Sequence, residues 1–274
     1  NVTVANGATL SLRVGGAGFT AAEVDSYRST VTFSAVGSFL GLDTANGNFT
    51  YSSNISGNIS LNKLGANTLT LDGTNTYTGT TAVNEGGLAF NNLNAWNGNA
   101  INVGANGVLT GNAGGAALAS ADLDTLRNAA TYTAGGIFAV NTTNTDFVYA
   151  SNMANAGMRF QKSGTNTLFL TGTSTFTGGV NVPAGILSVT EILNGGVNSS
   201  LGASTNAATN LNLNGGRLRY TGDGNNTNRL FQLAGSSTID SSGTGALVFS
   251  NTGTNGTGTG TASARTLTLA GYNK

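Results

Sequence analysis

Lys63-Leu64-Gly65-Ala66-Asn67-Thr68-Leu69-Thr70-Leu71-Asp72-Gly73-Thr74-Asn75-Thr76-Tyr77-Thr78-Gly79 returns 99 positions on as Lys162-Ser163-Gly164-Thr165-Asn166-Thr167-Leu168-Phe169-Leu170-Thr171-Gly172-Thr173-Ser174-Thr175-Phe176-Thr177-Gly178. The match runs on without a gap through Val83, Gly86 and Leu88 onto Val182, Gly185 and Leu187. Upstream at the same offset, Glu23-Val24-Asp25-Ser26-Tyr27-Arg28 falls on Asp122-Leu123-Asp124-Thr125-Leu126-Arg127. Ala5-Asn6-Gly7 falls on Ala105-Asn106-Gly107 with one residue of slippage. A divergent third unit runs from Leu211-Asn212-Leu213-Asn214-Gly215-Gly216 to Leu267-Thr268-Leu269-Ala270-Gly271. Self-similarity at a fixed period points to stacked units rather than a globule. It predicts three modules: residues 1–99, residues 100–195, and a divergent, truncated module over residues 196–274.

Inside a module the Gly- or Asn-marked corners are close together, which leaves strands of about three to six residues, the lengths a β-solenoid uses. Alternation places Leu69, Leu71, Val83 and Leu88 inward in apolar columns and Thr68 and Thr70 outward. Asn and Gly at corners supply backbone conformations that β-branched residues resist. Proline deletes a ladder donor; the chain has one, Pro183, at a turn between Val182 and Gly185. Two segments break the pattern. Thr20-x-x-Glu23, flanked by Phe19 and Val24, has the form of a capping box with a hydrophobic staple and predicts a short helix near residues 20–29. The second copy keeps the staple pair as Leu118 and Leu123 and has Ala119 in place of Thr20, so Ser120 is expected to cap a helix near 119–128. Asp25 with Arg28, and Asp124 with Arg127, then fall one turn apart on an exposed helix face. The fold class expected is all-β, a parallel β-solenoid with short helical ornaments.

Composition excludes much chemistry. The 274 residues include no His and no Cys, 11 basic against 11 acidic side chains, and 42 Gly. Triads, thiol nucleophiles, zinc sites and haem ligation lose their usual residues. With no net charge there is no field to draw in phosphate backbones or anionic lipid, so neither nucleic acid nor a membrane inserting this segment is an expected partner. No catalytic, cofactor-binding or metal site is assigned, and the binding residues are unknown at this level.

The pattern Lys-x-Gly-x-x-Thr-Leu-x-Leu-x-Gly-x-x-x-(Tyr/Phe)-Thr-Gly, followed by Val-x-x-Gly and an apolar strand, resembles the autotransporter-associated β-strand repeat, also called the passenger-associated transport repeat. It is carried by Lys63 to Leu88 and by Lys162 to Leu187, about a fifth of the chain, and starts again at Leu267. The resemblance implies a right-handed β-helix, secreted or on the cell surface, often within a very large adhesin or stalk, and no catalysis. No signal peptide precedes Asn1 and no amphipathic barrel strands close the sequence, so a mature fragment is expected. Val2-Thr3-Val4-Ala5-Asn6-Gly7 resembles the half-repeat that is missing after Leu267. Partnership with a longer array in the same chain, or with a second copy end to end, is therefore expected, with surface glycans as a further possible ligand.

Other candidates are weighed against simpler readings. Asp72, Asp146, Asp223 and Asp240 are scattered, without the paired spacing of a glycan lyase, and the Ca²⁺-binding nonapeptide is missing. Thr74, Thr76, Thr78 and Thr80, and again Thr171, Thr173, Thr175 and Thr177, form rows of the kind that bind ice, but they recur once per 99 residues instead of once per coil. β-Propensity accounts for them. The Gly253–Thr261 run reads as turn-rich low complexity. Asn-x-Ser/Thr triplets at Asn48, Asn54, Asn58, Asn141, Asn198, Asn225 and Asn255 are expected by chance in so Asn- and Thr-rich a chain. Lys63 and Lys162 read as coil-edge charges that discourage wrong pairing, with isopeptide crosslinking as the sharper alternative. Trp96, Tyr27, Tyr132 and Tyr220 are the aromatics available to stack on sugars or to fill the core. The expected function is an extracellular structural solenoid forming a stalk, filament or scaffold; a carbohydrate-binding adhesin is the alternative, ahead of a glycan lyase or an ice-binding protein. At roughly 20 residues per coil the chain makes about a dozen coils.

Overall fold

A computed structural model describes residues 2–258 and 264–272. The chain divides into two compact units, Asn1–Asn112 with Ala121–Ile137, and Ala113–Ser120 with Phe138–Lys274. Both are built from short parallel strands stacked coil on coil, the parallel β-solenoid expected from the repeat.

In the first unit the strands Thr9–Arg13, Phe39–Asp43, Ser60–Leu64, Thr81–Phe90 and Ile101–Asn112 pair in that order. A second row of strands, Phe49–Tyr51, Thr68–Leu71 and the far half of Thr81–Phe90, pairs alongside. Register is strict because a slip of one residue would turn every apolar side chain to water. Phe49, Leu69 and Leu88 stand over one another, as do Tyr51, Leu71 and Phe90. Leu69, Leu71, Val83 and Leu88 are all fully buried. The plain coil is 20 residues long, the separation of Lys63 from Val83 and of Val83 from Val103. It lengthens to 29 where a helix is inserted, between Val2 and Val31 and between Ile101 and Ala130.

The second unit repeats the scheme. Phe147, Leu168, Leu187, Leu218, Ile239 and Leu269 form one column across six paired strands, and Tyr149, Leu170, Val189 and Tyr220 form the adjacent one. Each coil supplies main-chain donors and acceptors to the next, which is why so little apolar sequence suffices: the backbone itself is the repeating adhesive.

The inserted helices are α1, Ala21–Ser29, and α2, Ser120–Asn128. Thr20 caps α1 as its sequence predicts: the Glu23 N–H donates to Thr20 Oγ1 at 3.3 Å, and the Glu23 carboxylate accepts from the Thr20 N–H at 2.8 Å. The bond from the Thr20 N–H, together with a second from the Thr20 hydroxyl at 2.8 Å, holds the Glu23 carboxyl below the usual carboxylate range. Ser120 does not cap α2. It is the first helical residue, and its hydroxyl donates instead to the Val148 carbonyl at 3.1 Å. The Asp/Arg pairs also differ from expectation, because they face the solenoid. Asp25 accepts hydrogen bonds from Tyr51 Oη and from Ser53 Oγ, Arg28 donates to the Asn54 carbonyl at 2.9 Å, and Arg127 is buried beside Asp124 at 2.8 Å. A nine-residue helix with a weak apolar stripe needs such anchors to stay docked.

Candidate functional site

The repeat motif organises one local structure, seen twice. Lys63 stands in register between Leu42 and Val83 in an otherwise apolar inward column, and its side chain is fully buried. Its Nζ donates to three main-chain carbonyls, Leu64 at 2.7 Å, Gly65 at 2.6 Å and Glu85 at 2.9 Å. Lys162 does the same with Ser163 at 2.9 Å, Gly164 at 2.6 Å and Ala184 at 3.3 Å. Where the chain turns a tight corner, carbonyl oxygens of successive coils converge inward, and an ammonium with three donors is the side chain that satisfies them. The glycine of the motif's Val-x-x-Gly is equally explained. Gly86 and Gly185 have φ of +60° and +61°; a Cβ would stand 2.4 Å from the Gly65 carbonyl oxygen at the first and 2.5 Å from Lys162 Nζ at the second.

This overturns the reading of both lysines as coil-edge charges. Burial pushes each down to about 8, although the carboxylates of Asp43 and Glu85 act in the opposite direction on Lys63, and Asp146 does so on Lys162. The second unit contains a further buried cation that sequence reasoning missed. Arg229 donates to the carbonyls of Leu193 at 2.8 Å, Ser204 at 3.2 Å and Gly202 at 2.8 Å and to Ser204 Oγ at 2.9 Å, pinning an irregular segment; burial lowers it to about 10. Nothing in its local sequence marks it, because its partners lie 25 to 36 residues upstream.

The structure disperses the other candidates. Asp72 accepts from Asn91 Nδ2 at 3.1 Å and Asp146 from the Thr167 N–H at 2.7 Å, both coil-to-coil bonds. Asp223 is exposed on the strand Asp223–Thr227. Asp240 is buried between two arginines. Burial alone would push its carboxyl up, but hydrogen bonds from Ser242 and Arg219 and the charges of Arg219 and Arg217 outweigh it and hold the group below the usual range. Among the described residues no three acidic side chains gather into a cluster suited to a metal ion.

Trp96 and Tyr220 belong to the core, Trp96 Nε1 donating to the Asn99 carbonyl and Tyr220 Oη accepting from the Gly224 N–H. Tyr132 is half-buried, while Tyr27 on α1 is exposed, its ring centroid 6.1 Å from that of Phe19, which precedes the helix cap. Tyr77, which opens the Tyr-Thr-Gly of the motif, is buried and pushed up to about 12 by desolvation, with its hydroxyl against Thr81 Oγ1.

Thr74, Thr76, Thr78 and Thr80 do line one exposed face, alternating with buried Asn75 and Tyr77. The coil beneath offers Asn54, Ser56 and Asn58 to them, so threonines are not stacked on threonines. Asn48, Asn54, Asn225 and Asn255 each accept a backbone N–H from a neighbouring coil through their side-chain carbonyl, so these asparagines have a structural task. The Gly253–Thr261 run extends beyond the described residues at its far end.

One surface feature combines space, charge and hydrogen-bonding groups. In the second unit a groove of about 410 Å³ is lined by the corner glycines Gly185, Gly215 and Gly216, the hydroxyl residues Ser236, Ser237, Thr238, Thr266 and Thr268, Ile186 and Arg217. A 370 Å³ cleft beside α1 in the first unit, floored by Val31, Phe33 and Ile59, has its two charges, Asp25 and Arg28, already engaged with the solenoid.

The passenger-associated transport repeat family matches residues 61–90 and 160–189, the two stretches that carry the lysine corners. The chain is 34% identical over 242 residues to the adhesin BmaC autotransporter of Brucella suis biovar 1 (strain 1330), an alignment covering 82% of this chain and 7% of that protein. No solved structure matches it. The chain therefore carries two copies of the passenger-associated transport repeat, in keeping with a surface-exposed or secreted segment, and it spans a small part of the length of the relative it matches. Among the described residues no helix is long and apolar enough to cross a membrane.

Proposed function

We propose that the chain is a non-catalytic structural segment of a surface adhesin, a solenoid whose task is to extend and to hold other surfaces away from the cell. The observation that carries this reading is the coil-to-coil construction: parallel strand pairing, apolar columns and lysine-filled corners invest nearly every distinctive residue in stacking. Stiffness along the stacking direction follows, because bending a stack of hydrogen-bonded coils must open ladder bonds on one side. Absence of cysteine suits a chain exported unfolded, with no disulfide to form before passage.

The reading includes an association. The column from Phe147 to Ile239 reaches Leu269, which is 74% exposed, and we propose that a further coil of the same polypeptide covers it, in keeping with a relative many times longer. Negative-stain imaging of the native full-length protein tests the stalk: thin rods standing from the surface support it, and compact globules refute it. Hydrogen exchange at Leu267–Gly271 tests the added coil, since those amides should exchange more slowly in the longer chain. A second reading, a carbohydrate-binding passenger, is favoured by the hydroxyl-lined groove at Arg217.

A further inference from the structure

We propose that the groove at Arg217 binds a glycan bearing carboxylate groups. The strand Arg217–Tyr220 sends Leu218 and Tyr220 into the core, so alternation turns Arg217 and Arg219 to the same outer face. A single carboxylate answers them. Asp240, in register with Arg219 on the neighbouring strand, accepts from Arg219 Nε at 2.9 Å and from the Ser242 hydroxyl, and lies 3.5 Å from Arg217 Nη1. The carboxylate side chain is only 5% exposed, whereas Arg217 is 42% exposed. Two guanidiniums over one buried carboxylate leave the patch with an excess positive charge, presented at the groove by Arg217. Among the described residues that long contact is the single ionic partner of Arg217, and a guanidinium fork with five N–H donors has capacity beyond it.

The groove around that fork suits a sugar better than a peptide. Ile186, Arg217, Thr238 and Thr268 stand in register across four successive strands. At the usual strand spacing they mark a track about 15 Å long. Gly185, Gly215 and Gly216 contribute no side chain, which opens the floor, and the serine and threonine hydroxyls offer donors and acceptors along it. Ile186 is the one large apolar side chain in the lining, so the hydrophobic anchors of a peptide would find no pocket. A uronate-type polymer fits both features: its carboxylates match the planar guanidinium fork, and its ring hydroxyls match the threonine track.

This deepens the carbohydrate-binding reading and rests on it; the stalk reading is tested by microscopy whatever binding shows. The experiment is calorimetric titration of the purified full chain with hexagalacturonate, and with the same oligosaccharide methyl-esterified to remove its charge, at low and at raised salt. The acid should bind and the ester should not. Arg217→Ala should weaken binding at least about tenfold and Arg217→Lys by several fold, since a lysine cannot reproduce the two-point contact. Arg13→Ala, removing an exposed arginine of the first unit, should leave affinity unchanged, and circular dichroism should show all three variants folded. No binding of the acid overturns the proposal, and binding of the ester alone would overturn it while sparing the carbohydrate-binding reading. Equal losses in the Arg13 and Arg217 variants would reduce the effect to general charge and overturn it likewise.

Discussion

Replacing Lys63 by methionine tests the central physical claim, that the conserved-spacing lysine of each repeat is present to satisfy inward carbonyls. Methionine has nearly the same length and no donor. Of the three oxygens that Lys63 holds, Leu64 keeps a bond from the Thr44 N–H at 2.9 Å, while Gly65 is left with the Thr44 hydroxyl at 3.5 Å and Glu85 loses the ammonium bond outright. A buried carbonyl deprived of its donor costs about 1–3 kcal/mol. Two such losses come to about 2–6 kcal/mol, against which the added apolar burial returns about 1 kcal/mol, and relief of the buried charge returns more. The net expectation is a loss of about 1–3 kcal/mol. Urea unfolding followed by circular dichroism measures it, with amide exchange at Ser60–Leu64 as the local readout, because solenoids need not unfold in one step. Buried ions often cost as much as they contribute. A Lys63→Met chain as stable as the parent, or more stable, would therefore show that the ammonium is tolerated in the corner and that the carbonyls need no donor there. Lys162→Met, with the same three-carbonyl cage, should repeat the result.

The corner glycine should be at least as sensitive: Gly86→Ala combines a left-handed φ, worth about 1–2 kcal/mol, with a Cβ only 2.4 Å from the Gly65 carbonyl oxygen, and the urea midpoint should fall by more than the backbone penalty alone predicts. Stability should also depend on pH in the alkaline range. Both lysines are pushed down to about 8, so above that pH the folded chain holds fewer protons than the unfolded one, and stability should rise from about pH 8 toward the ordinary lysine value of 10.5. Tyr77, pushed up to about 12, and Tyr51, raised further, act with the opposite sign above pH 10, because the folded state keeps protons that the unfolded state sheds. Denaturation midpoints at pH 7.5, 9.5 and 11 should accordingly pass through a maximum, and a flat or falling profile between the first two would contradict the lysine shifts. Arg229→Met should leave the strands intact and loosen the segment that the guanidinium ties together, so limited proteolysis should cut between Leu193 and Ser204 in the variant and spare the parent.

Much of the architecture was legible because it is written in local signals that repeat. The 99-residue echo, the alternation at Leu69 and Leu71, and the Thr20–Glu23 box each specify a structure through neighbours a few residues away, and the strands, the apolar columns and α1 follow them. The side chains that were misread all answer to neighbours a coil or more away in sequence. Lys63 looks like an edge charge until Glu85, 22 residues on, folds back above it. Asp25 looks like a solvated helix charge until the Tyr51 and Ser53 hydroxyls arrive from the following coil, and Ser120 looks like a cap until the Val148 carbonyl claims it. By itself, then, the sequence determined periodicity, the inward and outward faces of each strand, and the class of fold, since all three depend on spacing along the chain. Tertiary structure alone decided which polar groups are buried, that Arg229 pins one segment, and that Arg217 stands over an open groove with one carboxylate shared beneath it. Those outcomes depend on which backbone oxygens and charges meet across coils, and stacking brings together residues that no local window contains.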